Sequence, residues 1–155
     1  MPGNESLRKY GAALSLAAGI CGLVLTGALA AQLIDWGFHR PGFGYWRARL
    51  FGLLFHIGAV WMIALAGWHV ARGRGFGVVV PRLLISVGAL LALAAIHEVF
   101  GVALLLRIFG QGEFHTFAIF DPNFVALGVV GLLLILVGCL MRRAEQMAQE
   151  LEEFV

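Results

Sequence analysis

Residues 83–106 read LLISVGALLALAAIHEVFGVALLL, an apolar run interrupted only by His97 and Glu98. About 20 predominantly apolar residues carry an α-helix across the ~30 Å hydrocarbon core of a bilayer, so a run of this length is a transmembrane signal. Three further runs resemble it. Residues 11–34 carry no charge, residues 50–71 hold His56 and His69 but no Asp, Glu, Lys or Arg, and residues 122–141 are uncharged. In lipid, only helices and closed barrels satisfy their backbone polar groups, and these unbroken runs lack the alternation of a barrel strand. The sequence therefore predicts an all-α polytopic membrane protein, with residues 1–155 forming one bundle of four transmembrane helices.

Composition supports this reading. The chain is 61% hydrophobic and 13% charged, with a mean hydropathy of +0.90. A soluble domain carries roughly 25% charged residues to wet its surface. The charges here cannot coat a water-soluble globule, which argues against a cytoplasmic enzyme, a disordered segment and a secreted disulfide scaffold. The two cysteines, Cys21 and Cys139, fall at different depths in their runs. At 1.5 Å rise per residue the offset is roughly 10 Å, too far for a disulfide, and both read as small apolar fillers.

The segments between the runs carry boundary chemistry. Residues 35–44, DWGFHRPGFG, combine glycine with aromatics as lipid–water boundary loops do. Arg72-Gly73-Arg74-Gly75 with Pro81-Arg82 reads as a short basic turn between spans two and three, and Gly110-Gln111-Gly112-Glu113 opens the next loop. Asp121-Pro122-Asn123 predicts a helix start, with aspartate at the cap and proline in the first turn. After Met141 the pattern stays helical but turns amphipathic, so residues 142–155 are expected to extend span four into water as a cytoplasmic tail.

Orientation follows from the Lys and Arg count. Arg8, Lys9, Arg72, Arg74, Arg82, Arg142 and Arg143 fall on one side, and Arg40, Arg47, Arg49 and Arg107 on the other. The positive-inside rule then places both termini and the second loop in the cytoplasm. A rival reading treats Arg8-Lys9, the first apolar run and Ala28-Leu29-Ala30 as a cleavable secretory signal. That run is longer than the roughly 7–15 residues of a signal core, so the transmembrane reading is preferred. Small residues mark candidate packing stripes: Ala18 with Gly22, Gly27 with Ala31, Gly88 with Ala92, and Gly131 with Gly138.

Glu98 is the most informative single residue. A carboxylate within a span costs about 2.5–3.5 kcal/mol on insertion scales, so it should face the bundle interior and have a partner. His97 stands about 100° away around an ideal helix, so the two should not point the same way. By depth, the expected partner of Glu98 is His56 on span two, forming a buried polar pair. The alternative use of the histidines is a b-type haem ligated by His56 and His97, since bis-histidine haem needs imidazoles from two helices at matching depth. Against it, span three has no second histidine, and Glu98 offers His56 a simpler role. No cofactor is therefore expected. His69, beside Trp68, reads as an anchor at the headgroup boundary. No metal-ligand spacing is present, nor a phosphate-binding glycine loop, HExxH, GxSxG or CxxC. Arg72, Arg74 and Arg82 are candidate contacts for anionic lipid headgroups, each worth about 1 kcal/mol. Three arginines beside a membrane are what topology alone demands, so nucleic acid is not an expected partner.

Short-looped spans, a basic turn with Gly75-Phe76 leading through Pro81-Arg82-Leu83-Leu84 into span three, and the ending MRRAEQMAQELEEFV (141–155) together resemble a bacterial family of small four-helix membrane proteins of unknown function. Where that family offers a polar cap after the phenylalanine, this chain has Gly77-Val78-Val79-Val80. The resemblance implies a bacterial inner-membrane protein with no catalytic residues, and small helix-turn-helix regulators as partners. The sequence thus predicts an integral membrane protein, not an enzyme, acting through membrane lipids or another membrane or regulatory protein. Alternatives are a sensor signalling through its tail, or a haem-binding electron carrier.

Overall fold

Each apolar run folds into a continuous helical stretch longer than the run itself. The computed structural model describes residues 3–39, 44–72, 76–109, 118 and 120–153. Helix α1 spans Gly3–His39, α2 Tyr45–Ala71 and α3 Phe76–Ile96; a π turn, His97–Gly101, joins α3 to α4, Val102–Phe109, and α5 spans Pro122–Glu153. Four of the resulting helical stretches are long and apolar enough to cross a membrane: Glu5–Asp35, Arg47–Ala71, Val79–Phe109 and Pro122–Leu151. The described residues include no strand.

The start of α5 follows the expected cap. The amide of Asn123 donates to Oδ1 of Asp121 at 2.9 Å, and the amides of Phe124 and Val125 donate to its carbonyl oxygen. Proline at the first helical position loses nothing, because its missing N–H would have had no helical partner. The start of α3 departs from expectation. Helix begins at Phe76, so Pro81 lies inside α3, fully buried, and not in a turn. Only six residues in, its absent N–H removes a hydrogen bond near the helix end, where the cost is smaller than mid-span. Helix α5 continues past Met141 without interruption as far as Glu153.

Span three contains the other departure. Its helical ladder shifts at His97–Gly101, where the amide of Val102 donates to the carbonyl of His97, five residues back. Such π turns are rare and accumulate at functional sites.

Close packing relies on glycine. A Cβ placed on Gly88 would stand 2.5 Å from the carbonyl oxygen of Gly131, and one on Gly131 would stand 2.7 Å from that of Gly88. Farther along the same seam, a Cβ on Gly138 would lie 2.8 Å from the carbonyl of Pro81. Helices α3 and α5 therefore touch backbone to backbone. The same holds for α1 and α2 at Gly11 and Gly67, a seam absent from the expected stripes. Without a hydrophobic drive between helices in lipid, such close approach supplies the dispersion contact that holds them together. Of the other expected stripes, Gly22 faces the Trp61 ring, while Gly27 meets nothing within 4 Å.

Packing follows chain order. Among the described residues α1 rests on α2 alone, α2 also meets span three, and α5 rests on span three. Helices α1 and α5 do not meet, so the four spans form an open arc and not a closed bundle. Outward faces carry large apolar side chains such as Leu16, Leu23, Leu132 and Leu136, as lipid contact requires. Cys21 and Cys139 are both free and exposed.

Candidate functional site: an open groove with an ionic end

The arc encloses a groove of about 1180 Å³ between α1 and span three. Helix α2 supplies its floor through Arg49, Leu53, His56, Val60 and Ile63, which stand three or four residues apart and so share one face. Leu25, Ala31, Gln32 and Asp35 of α1 wall one side. Val87 and Leu91 of α3, Glu98 of the π turn and Phe124 of α5 wall the other.

The groove has two zones. One end gathers Asp35, Arg47, Arg49 and Glu98, with Gln32 one turn from Asp35 and Phe124 against Arg49, and the rest, His56 apart, is lined by aliphatic side chains. Between Arg49 and Ile63 the floor rises about 21 Å. His56 marks the border between the zones.

The ionic end is organised around Arg49. Its Nε donates to Oε2 of Glu98 at 3.1 Å, with the glutamate side chain 7% exposed and the arginine 30%. The guanidinium also lies 5.6 Å from the Tyr45 ring centroid and 5.1 Å from that of Phe124, within cation–π range. One side chain thereby joins α2, the π turn and the first turn of α5.

Glycine makes this possible. A Cβ on Gly52 would stand 2.7 Å from Oε1 of Glu98 and 3.0 Å from Nδ1 of His97. His97 and Glu98 therefore both press against α2 at one glycine, contrary to the divergence expected of an ideal helix. The π turn explains the difference, because its wider turn reduces the angle between successive side chains. Gly101 accommodates the back of the His97 ring, since a Cβ there would lie 2.8 Å from Cδ2. Both ring nitrogens of His97 are buried without a hydrogen-bond partner among the described residues, and Phe55 packs beside the ring at 6.1 Å between centroids.

His56 is arranged differently. Its Nδ1 lies 3.0 Å from the carbonyl oxygen of Gly52. A carbonyl only accepts, so Nδ1 is the donor. Glu98 and His56 line the same groove, yet the ion pair of Glu98 is with Arg49 and the hydrogen bond of His56 is to Gly52. The structure thus corrects the expected Glu98–His56 pair: an arginine near the end of the neighbouring helix answers a buried carboxylate with a full charge, which an imidazole does not.

The pair His56 and His97 does not fit a haem. The His97 ring is sealed between Gly52 and Gly101, with both nitrogens buried, while His56 opens on the groove. Two imidazoles facing a porphyrin from opposite sides would require separating α2 from the π turn at Gly52.

The expected headgroup arginines take different positions. The Arg72 guanidinium stacks 4.3 Å from the Trp68 ring centroid, and Arg8 donates to the nearby Ala71 carbonyl at 3.1 Å. Arg82 lines a small cleft of about 140 Å³ with Arg142, Glu145, Gln146 and Gln149. Arg74 lies outside the described residues. In the sequence, Arg49 stands out only for its part in the orientation. Its spacing of seven from His56, two helical turns on one face, was the signal available to find it. The chain matches no known protein-family model, no curated protein and no solved structure.

Proposed function

We propose that this chain is a non-enzymatic integral membrane protein that holds a lipid-like amphiphile in its open groove. The observation that carries the reading is the groove's two-zone lining, aliphatic along its length and ionic at one end. Ligand sites are mostly apolar clefts of roughly 300–1,000 Å³ with a few convergent polar groups, and this one is slightly larger and opens sideways. We place it in a bacterial cytoplasmic membrane with both termini cytoplasmic. The seven-to-four distribution of Lys and Arg supports the orientation, and the resemblance of Gly75-Phe76, Pro81-Arg82-Leu83-Leu84 and 141–155 to a bacterial membrane-protein family supports the source.

The test is native mass spectrometry of the protein released from nanodiscs of bacterial polar lipids. Wild type should retain a bound amphiphile. Leu53→Trp, which fills the groove floor, should lose it, and Leu132→Trp on the outer face should keep it. Equal retention in all three proteins would refute the reading.

A second reading, a regulator acting through residues 142–155, draws on the helical continuation of α5 to Glu153. A partner captured by the full chain and lost on deleting 144–155 would establish it in place of the first.

A further inference from the structure

The chemistry at the groove's border narrows what its occupant carries at the head. The charges in the lining balance: Arg47 and Arg49 against Asp35 and Glu98. Arg49 is already paired with Glu98 and held between two aromatic rings, and Asp35 and Arg47 each have an interaction of their own. A charged headgroup would have to take a partner away from one of these ions. Where such an ion is buried, as Glu98 is, leaving it unpaired outweighs the new contact.

His56 offers something else. Because Nδ1 donates to the Gly52 carbonyl, the neutral ring carries its lone pair on Nε2. Among the described residues nothing donates to that nitrogen, and it is not one of the sealed polar atoms, unlike those of His97. His56 lines the groove where the aliphatic zone of Val60, Ile63 and Leu91 begins. A hydrogen-bond acceptor therefore sits at the head of the aliphatic zone, with its tautomer fixed by the backbone four residues earlier.

We infer that the groove takes an uncharged, hydroxyl-headed amphiphile, whose hydroxyl donates to Nε2 of His56 while its chain lies along Val60, Ile63 and Leu91. This rests on the reading of the groove as an amphiphile site and goes further by assigning the head and its partner.

The experiment uses the full chain in phosphatidylcholine nanodiscs with three probes: 1-hexadecanol, hexadecyl methyl ether and palmitate. Binding is read by competition in native mass spectrometry. The state of the ring is read from the ¹⁵N resonances of histidine-labelled protein. Wild type should bind the alcohol about tenfold more tightly than the ether, as one hydrogen bond without a substitute donor implies. The alcohol, and not the ether, should shift the Nε2 resonance of His56. In His56→Phe the two probes should bind alike.

Equal binding of alcohol and ether to wild type, both blocked by Leu53→Trp, would overturn the hydroxyl assignment and leave the groove reading standing. Palmitate binding more tightly than the alcohol would overturn the uncharged head. Binding that Leu53→Trp does not affect, or no binding of any probe, would overturn the groove reading itself. The ¹⁵N measurement on wild type decides the assignment even if His56→Phe fails to fold.

Discussion

Gly52 and Glu98 approach so closely that no side chain on the glycine can coexist with the present position of the carboxylate: Oε1 stands 2.7 Å from where a Cβ would be. The atom that would have to move belongs to an ion pair, with the His97 ring alongside at 3.0 Å. Gly52→Ala should destabilise the protein by about 1–3 kcal/mol, the usual cost of overpacking a filled site. Gly27→Ala, where the added methyl meets nothing, should be neutral or slightly stabilising. Thermal unfolding of the two variants in one detergent checks the contrast, and equal midpoints would contradict it.

Arg49→Met should cost about 2–3 kcal/mol, below the roughly 3–5 kcal/mol of a fully buried pair because the arginine is partly exposed. Glu98→Leu on its own should cost less, since the remaining cation reaches the groove mouth and two aromatic rings. The double variant Arg49→Met/Glu98→Leu should recover most of the loss. A double-mutant cycle in a reversible denaturation assay reads the coupling directly. Strict additivity of the two single effects would remove Arg49 as the partner.

The glycine seam between α3 and α5 should be less forgiving than either. In Gly131→Leu the new side chain meets the carbonyl of Gly88 and the amide of Ala92, both backbone atoms that cannot rotate away. Spans three and four should separate, and the protein should aggregate on extraction or melt far below wild type. Size-exclusion profiles together with melting curves test this. A monodisperse Gly131→Leu with wild-type stability would mean that the two helices are not in backbone contact.

Orientation has its own measurement. With Cys21 and Cys139 replaced by alanine, Gly73→Cys should react with a membrane-impermeant maleimide only from the cytoplasmic side, and Gly112→Cys only from the opposite side. The seven-to-four imbalance of basic residues sets this expectation. Reversed labelling would turn the protein over.

Visible spectroscopy addresses the haem alternative. Protein purified from haem-supplemented cells should show no Soret band, because His97 is closed in by Gly52 and Gly101. A band abolished by both His56→Ala and His97→Ala would show that α2 and the π turn part to admit a porphyrin.

The spans were legible in the sequence because lipid leaves few choices: an unbroken apolar run of about 20 residues has one stable backbone solution. The cap at Asp121 was legible for the same kind of reason, since its chemistry is local. What could not be read was geometry created by two helices at once. The π turn at His97–Gly101 depends on Gly101 leaving room behind the ring and Gly52 leaving room in front of it, and those glycines belong to different spans. Once that turn brings His97 and Glu98 to one side, depth matching by straight-helix counting points to the wrong partner. Glu98 was correctly expected to be buried and paired. Arg49 is not legible as that partner in the sequence, because an arginine near a span boundary reads as a topological marker, although its side chain is long enough to enter the interior.

The order in which the spans touch bears on how the protein is made. Since every large interface joins spans adjacent in the chain, each helix leaving the translocon finds its docking surface already in the bilayer. The first hairpin can zip together at Gly11 and Gly67 before the third span is synthesised, and the last helix needs only the one before it. Loop closure costs little at such short separations, so the bundle can form as a stepwise accretion without a long-range search. Nothing among these interfaces pulls the first helix and the last together, and the groove between the first helix and the third span is therefore left open by assembly itself.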